Sequence, residues 1–284
     1  MKPIHDYTIR TMTRKELDLV LEWAADEGWN PGLDDAECFY RADPDGFLIA
    51  LHDEKPVAAI SAVRYGSSYG FIGLYIVLPE YRGMGSGFLL GRAANKRLEG
   101  RIIGIDGVLE RQENYSKIGF RYAYRNVRYR GFGGGPNPQH QGIFNLSNLQ
   151  FDEILAYDQP FFPDNRTDFL DCWISRSGTT ALGIQVDGML AGYGVIRPCR
   201  SGYKIGPLFA DSPELAETLF CALKSSITES SPFFLDIPEI NPAALDLVKQ
   251  HSMDVVFETA RMYKGNTPRL PVDRIFGITT FELG

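Results

Sequence analysis

The sequence has few cysteines and histidines and no long hydrophobic run. Its four cysteines are widely separated and show neither C-x-x-C spacing nor a disulfide pattern, so we expect free thiols in a reducing compartment. His52 and His251 have no partner at metal-ligand spacing, so we interpret both as structural and predict no metal site. The amino terminus lacks the apolar core of a signal peptide, and no segment approaches the length that spans a bilayer. These absences predict a cytoplasmic protein with no membrane partner.

Basic residues are also scarce relative to acidic ones. The chain has 29 Lys and Arg against 36 Asp and Glu, which gives a net charge of −7 at pH 7. Because sequence-independent nucleic-acid binding rests on Lys and Arg at phosphates, we predict no nucleic-acid partner. The acidic balance is compatible with a cationic or amine-bearing small substrate. The length of 284 residues allows one large domain or two of ordinary size, in a monomer or a homodimer.

Predicted helices and strands alternate along the chain, which favours an α/β or α+β fold with helices on both faces of a sheet. A stretch rich in glycine and proline, GFGGGPNPQHQG at residues 131–142, is typical of a linker. We therefore predict a first domain at residues 1–134, a linker at 135–142 and a second domain at 143–284. The last predicted strand covers residues 275–283.

The two halves of the sequence repeat in outline. Nine residues separate Arg64, at a strand end, from Gly73, and nine separate Arg197 from Gly206. The interval from Gly73 to Tyr129 in the first half is 56 residues. The matching interval from Gly206 to Tyr263 in the second half is 57 residues. Matched intervals with the same element order indicate a duplication, so we predict two domains of one architecture.

A glycine-rich loop, VLPEYRGMGSGFLL, joins a predicted strand at residues 71–77 to a predicted helix at 83–97. This arrangement can hold an anion, because free N–H groups and the helix dipole point at the ligand and glycine lets the backbone come close. The loop lacks the Lys and Ser or Thr of a P-loop and the G-x-G-x-x-G spacing of a dinucleotide loop. Arg82, Gly85 and Gly87 match a third pattern, R/Q-x-x-G-x-G/A. A plain connection without a ligand is the alternative on these residues alone.

The longer string LYIVLPEYRGMGSGFLL resembles the acetyl-coenzyme A motif of the GNAT N-acetyltransferase superfamily. Downstream, NYSKIGF at residues 114–120 resembles the Y-x-K-x-G-F segment of that superfamily, and the 28 residues between Gly87 and Tyr115 fit the order of the fold. These motifs cover roughly residues 7–130, and the second half resembles the fold in outline. The strings EGWNPG, DPDGF and ITTFELG are similar to those of poorly characterised two-domain bacterial acetyltransferases.

The resemblance implies tandem GNAT-like domains, each a mixed, mostly antiparallel sheet flanked by helices. At the position of the glycine loop, the second domain has LFADSPELAE, which contains no glycine. Glu214 at the start of the following helix would repel a phosphate. We therefore expect a degenerate second copy that binds no coenzyme A.

The resemblance also implies acetyl-coenzyme A as cosubstrate and a strand that splays from its neighbour, so that its exposed backbone binds the pantetheine arm. Tyr115 is the expected general acid, which donates a proton to the leaving thiolate. The expected cofactor-binding residues are Ile76, Val77, Arg82, Gly83, Met84, Gly85, Ser86, Gly87 and Asn114.

The acceptor side carries no motif of its own. Glu27 is the expected general base, because its loop borders the acceptor site in this fold, and Asp26, Asp106 and Glu113 are rivals. The residues expected to line the acceptor pocket are Trp29, Asn30 and Tyr65. We predict direct transfer of an acetyl group to the primary amine of a small molecule or to another exposed amino group. A non-catalytic acyl-coenzyme A sensor is the alternative, and transfer of longer acyl groups is also open.

Overall fold

The structure is a computed structural model that describes residues 7–284. The helices are α1 (Arg14–Asp26), α2 (Asp35–Ala42), α3 (Ser86–Arg97), α4 (Gln112–Lys117), α5 (Phe151–Asp158), α6 (Thr167–Ser175), α7 (Pro213–Ser225) and α8 (Pro242–Gln250). The strands are β1 (Thr8–Thr11), β2 (Phe47–His52), β3 (Lys55–Tyr65), β4 (Tyr69–Val77), β5 (Ile102–Val108), β6 (Arg121–Phe132), β7 (Ile143–Asn145), β8 (Thr180–Val186), β9 (Met189–Pro198), β10 (Tyr203–Ala210), β11 (Pro232–Pro238), β12 (Asp254–Lys264) and β13 (Ile275–Gly277). None of these helices is long and apolar enough to span a membrane.

All the strands belong to one continuous 13-stranded sheet in the order β1-β2-β3-β4-β5-β12-β6-β11-β10-β9-β8-β7, with β13 paired to β10. The pairs β4–β5 and β10–β11 are parallel, and the other pairs are antiparallel. The predicted fold class, mixed and mostly antiparallel sheets flanked by helices, is therefore confirmed.

The two halves exchange strands at the centre of this sheet. Strand β12 of the second half lies between β5 and β6 of the first, and β6 lies between β12 and β11. Buried charge pairs follow the exchange, since Arg128 on β6 binds Asp236 on β11 through two hydrogen bonds of 2.6 and 2.8 Å. Each half therefore completes its sheet with a strand of the other half.

Each half contains a parallel pair of strands that separates part-way along its length. Strands β4 and β5 are paired from Tyr69–Ile102 to Ile72–Ile105 and no further, so residues 73–77 have a free edge on that side. Strands β10 and β11 also stop pairing early, but there β13 pairs with β10 and fills the gap. The gap in the first half opens into a cavity, whereas the chain's own backbone occupies the equivalent gap in the second.

The helices of the two halves pack on each other beside the sheet. Helices α2 and α6 meet with the rings of Phe39 and Trp173 stacked at 6.1 Å. Asp35, at the start of α2, is fully buried and accepts hydrogen bonds from Arg176 and Arg197 of the second half at 2.8 and 3.0 Å. Burial alone would raise the pKa of Asp35, but the Arg197 and Arg176 guanidiniums hold it well below its usual range.

Two expectations from the sequence are wrong. Cys38 on α2 and Cys172 on α6 form a disulfide with a Cα–Cα distance of 5.3 Å, so only Cys199 and Cys221 are free thiols. The pair was not evident from spacing because 134 residues separate the two cysteines and only the packing of α2 on α6 brings them together. The predicted strand at residues 275–283 ends at Gly277, because β10 offers it only a short gap and the chain then turns toward the first half.

Candidate active site

A cavity of about 1100 Å³ extends from the glycine-rich loop to the junction of the two halves. Most of the predicted site residues meet in its wall. These are Glu27, Trp29, Ile76, Val77, Arg82, Gly83, Gly85, Gly87, Asn114 and Tyr115. Four do not line it: Asn30, Tyr65, Met84 and Ser86. The predicted residues of the two motifs therefore line mostly one end of the cavity, whereas two of the three residues predicted for an acceptor pocket, Asn30 and Tyr65, lie outside its wall.

The glycine loop leaves the start of α3 open toward this cavity. Gly83 and Gly85 have φ angles of 76° and 99°, which side chains with a Cβ rarely adopt, although a Cβ at either position would meet nothing within 4 Å. Backbone conformation rather than crowding thus requires these glycines. Gly85 caps α3 without a side-chain hydrogen bond, and the first turn of the helix has no acidic residue. The first N–H groups of α3 therefore have no side-chain cap, which suits an anionic ligand.

Arg82 ties the loop to neighbouring elements. Its Nε donates a hydrogen bond of 2.9 Å to the carbonyl oxygen of Val77, at the end of β4, and its guanidinium also binds the Glu27 carboxylate. Glu27 follows α1, so this contact holds the α1–α2 connection against the loop. The predicted general base is consequently already engaged by a cation.

Tyr115 lies on α4 with its ring against the backbone of β5. A Cβ at Gly107 would come within 2.5 Å of the ring, so only glycine leaves room for it there. The ring of Phe120 meets it edge-on at 6.3 Å. Burial, with the nearby Tyr75 hydroxyl as a second cause, raises the pKa of Tyr115 to about 12. The phenol therefore carries its proton at neutral pH and can donate it.

The second half supplies much of the other end of the cavity. Phe257 and Thr259 on β12 line it together with Phe281 and Glu282, which follow β13. Glu282 is only 4% exposed, and its main-chain carbonyl lies so close to Gly73 that a Cβ there would come within 2.0 Å of it. We had not proposed these residues as part of the site. The string ITTFELG was the available signal, because it marked the segment that carries Phe281 and Glu282.

The three carboxylates proposed as rivals of Glu27 occupy different positions. Asp106 lines the cavity, but Arg261 binds it with hydrogen bonds of 2.7 and 2.6 Å, and Asn126 donates a third of 2.8 Å. Asp26 and Glu113 do not line this cavity. Asp106 is therefore the only one of the three within reach, and its oxygens are already occupied.

Asn30 and Tyr65 lie at the junction between the halves. The sequence predicts both in the wall of an acceptor pocket, but neither lines the cavity. The Asn30 side chain exchanges two hydrogen bonds with the backbone of Ser201, at 2.8 and 3.1 Å. The buried Tyr65 hydroxyl donates a hydrogen bond of 3.1 Å to the carbonyl oxygen of Leu283. Contacts with the second half, which the sequence does not display, hold both side chains away from the cavity.

His251 has two neighbours in the fold, Glu217 and Cys221, whose side chains could share a metal ion with it. Its spacing in the sequence predicts no such partner. Its Nε2 lies 3.9 Å from the sulfur of Cys221 and 3.5 Å from a carboxylate oxygen of Glu217. Cys221 and Glu217 are one turn apart on α7, and His251 follows α8, so helix packing brings the three together. None of them lines the cavity, and they play no part in the arrangement described above.

Comparisons with known proteins agree with this geometry. Residues 14–120 match the model of the "Acetyltransferase (GNAT) family", and residues 154–277 match that of an "Acetyltransferase (GNAT) domain". The chain is 30% identical over 284 residues to holothin acyltransferase of Pseudoalteromonas sp. (strain SANK 73390). The match covers 100% of this chain and 97% of that protein. It is 27% identical over 170 residues to the uncharacterized N-acetyltransferase YitH of Bacillus subtilis (strain 168), covering 59% of this chain and 60% of that protein.

Solved structures show the same architecture. A putative acetyltransferase from Pyrococcus horikoshii superimposes with a TM-score of 0.82 at 25% identity, covering 100% of this chain and 99% of the other. A tandem GNAT protein from the clavulanic acid biosynthesis pathway superimposes with a TM-score of 0.63 at 13% identity, covering 92% and 100%. The second likeness concerns the fold alone.

Proposed function

Since the chain belongs to the GNAT acetyltransferase family, as a two-domain member and an acyltransferase, we propose that it transfers an acetyl group from acetyl-coenzyme A directly to a primary amine. The observation that supports this proposal best is the continuity of the cavity. It joins the open start of α3, the free edge of β4, the Tyr115 phenol and an acceptor end built by the second half. We retain residues 1–134 and 143–284 as the proposed domains, because the two family matches fall on either side of the proposed linker.

The residues of the first half fit the two polar parts of the cosubstrate. The N–H groups of the loop at residues 83–87 and of the first turn of α3 would bind the pyrophosphate, where backbone donors and the helix dipole both favour negative charge. The free edge of β4, including Ile76 and Val77, would bind the pantetheine arm through its amides. Arg82 would then hold the end of β4 in position as well as adding positive charge near the phosphates.

The chemistry requires two proton transfers. The amine nitrogen attacks the thioester carbonyl, an N–C bond forms, the C–S bond breaks and the electron pair leaves on sulfur. Tyr115 donates its proton to that thiolate and is reprotonated by solvent. An alkyl ammonium has a pKa of about 10, so a base must also take a proton from the amine. A backbone N–H at the irregular part of β4 would stabilise the developing oxyanion.

A non-catalytic acyl-coenzyme A sensor was the alternative prediction. It is disfavoured because the chain is related over its whole length to a protein named as an acyltransferase. In the second half, the gap between β10 and β11 is filled by β13 and the loop before α7 lacks glycine, which supports a single cosubstrate site per chain. The related enzyme's name makes holothin the first acceptor amine to test.

Isothermal titration with acetyl-coenzyme A, followed by thiol-release assays with a panel of amines, tests this function. We expect one binding site per chain and turnover on at least one amine class. Gly85→Glu should weaken acetyl-coenzyme A binding by about 100-fold or more, because it fills the loop and places a negative charge beside the pyrophosphate. Gly188→Glu is the matched control, since Gly188 also has a positive φ, of 78°, and open space around it but lies in the β8–β9 turn. Equal binding by both variants would show that the loop does not hold the cosubstrate.

A further inference from the structure

Glu282 is a buried carboxylate of the cavity that no cation binds in the described part of the chain. Glu27 is bound by Arg82 and Asp106 by Arg261, whereas Glu110 is exposed to solvent. Within residues 7–284, Glu282 forms no ion pair, and its recorded side-chain hydrogen bond comes from the Thr280 hydroxyl. A buried carboxylate with one donor has acceptor capacity left for a ligand.

Two buried cations face Glu282 without binding its oxygens. Arg128 on β6 and Lys204 on β10 both act on it electrostatically. Arg128, however, is bonded to Asp236 and to the carbonyl oxygen of Trp29, and Lys204 donates to that same carbonyl at 3.2 Å. Both cations therefore bind other groups, and the Glu282 carboxylate remains open to a group in the cavity.

Glu282 also lies next to the position of the reacting carbonyl. Its main chain touches Gly73, the first residue of the free β4 edge. Under the proposed function, the thioester would lie along this edge. The second half therefore places a carboxylate beside the acyl group that the first half binds.

Aromatic rings share the cavity wall with this carboxylate. Trp29 and Phe257 are partly exposed, and the ring of Phe281 lies 6.0 Å from that of Phe257. The Arg128 guanidinium lies over both phenylalanine rings, at 4.7 and 5.8 Å, and fixes them in place. Flat apolar walls around one carboxylate suit an amine with a flat apolar body.

We propose that these residues form the acceptor site, that the acceptor is a small aromatic primary amine, and that Glu282 is its general base. This inference rests on the proposed function. In the proposed step, one proton moves from the attacking nitrogen to a Glu282 oxygen as the N–C bond forms. Glu282 then releases that proton to solvent, and the thiolate receives its own from Tyr115. Because the pantetheine arm takes up part of the roughly 1100 Å³ of the cavity, the space left favours a small molecule over a peptide.

The test compares Glu282→Gln with Glu27→Gln and Glu110→Gln in the full chain, using acetyl-coenzyme A with 2-phenylethylamine, tryptamine and holothin. We expect Glu282→Gln to lower kcat by about 100-fold or more, because general-base catalysis contributes at least that much. The affinity for acetyl-coenzyme A should stay within about twofold, since the variant leaves the binding backbone intact. Glu110→Gln and Glu27→Gln should each lose much less kcat than Glu282→Gln.

A second variant separates a catalytic role from a structural one. Thr280→Val removes the hydroxyl that donates to the Glu282 carboxylate and leaves the carboxylate itself in the chain. We expect kcat to fall by about 10-fold, because the base is held less firmly toward the nitrogen, while the KM for the amine and the affinity for acetyl-coenzyme A stay within about twofold. This readout also serves if Glu282→Gln fails to fold.

Four outcomes would overturn the inference. They are full kcat in Glu282→Gln, full kcat in Thr280→Val, no turnover of any aromatic amine, and a preference for spermidine or a short peptide when these are assayed beside the aromatic amines. Each of these leaves acetyl-coenzyme A binding intact, whereas loss of that binding in the wild type would instead contradict the proposed function.

Discussion

The packing around Tyr115 raises the pKa of its phenol above that of a free tyrosine. Its ring occupies the space left by Gly107, and this half-buried position raises its pKa to about 12. The sequence could identify Tyr115, because the Y-x-K-x-G-F segment is local in the chain. It could not identify Glu282, because the main chain of that residue packs against Gly73, more than 200 positions earlier. Sequence reasoning can therefore propose a residue that belongs to a local motif, but not one that only the fold brings to the cavity.

Tyr115→Phe should lower kcat by about 100-fold, because the leaving thiolate loses its positioned proton donor. The dissociation constant for acetyl-coenzyme A should remain within about twofold, since the ring and its packing are retained. Steady-state kinetics and isothermal titration measure the two effects. Tyr122→Phe is the control, because Tyr122 is exposed on β6 and its hydroxyl binds Glu239 outside the cavity. If both variants keep wild-type kcat, Tyr115 is not the general acid.

The elements of the chain were predicted more successfully than their ends and partners. The predicted strand at residues 71–77 lies within β4, and the predicted helix at residues 83–97 ends at Arg97 but begins only at Ser86. The short strands β1 and β7 were missed, since each has only three or four residues. The segment after Gly277 was assigned to a strand, but tertiary contacts bend it away. The local sequence pattern does not determine which neighbouring strand a segment pairs with, because pairing depends on tertiary contacts.

The irregular part of β4 depends on a close approach between two backbones. Gly73→Ala would place a Cβ 2.0 Å from the Glu282 carbonyl oxygen and 2.9 Å from its carbonyl carbon, so either β4 or the carboxyl-terminal segment must shift. We expect the free energy of unfolding to fall by about 1–3 kcal/mol, as for other overpacked sites. We also expect kcat to fall, because the shift moves Glu282.

Urea unfolding measures the first effect, with Gly91→Ala as a control of opposite sign. Gly91 lies inside α3, where a Cβ would meet nothing nearer than 3.9 Å. Replacing it by alanine should raise the free energy of unfolding by up to about 1 kcal/mol, because alanine favours the helix. A Gly73→Ala variant as stable as wild type would show that the two backbones have room to separate.

The whole molecule is organised by exchange between two similar halves. The repeat in the sequence predicted two units of one architecture, and the continuous sheet contains both. Nothing local in β6 or β12 indicates that each crosses into the sheet of the other half, and the Cys38–Cys172 disulfide is hidden for the same reason. The asymmetry between the halves then assigns their roles. The first half has an open gap beside β4, whereas β13 fills the equivalent gap in the second half. Phe281 and Glu282 of the second half line the cavity of the first.

We expect neither half to fold on its own, despite their separate family matches. A fragment of residues 1–134 would leave β5 and β6 without β12 between them, which exposes two sheet edges and buried charges such as Arg128. A fragment of residues 143–284 would likewise lose β6 from between β11 and β12. Separately expressed fragments should aggregate, whereas co-expressed fragments should form a one-to-one complex that binds acetyl-coenzyme A. A monodisperse 1–134 fragment that binds acetyl-coenzyme A alone would contradict this, and would mean that β12 completes the acceptor site without being needed for the fold of the first half.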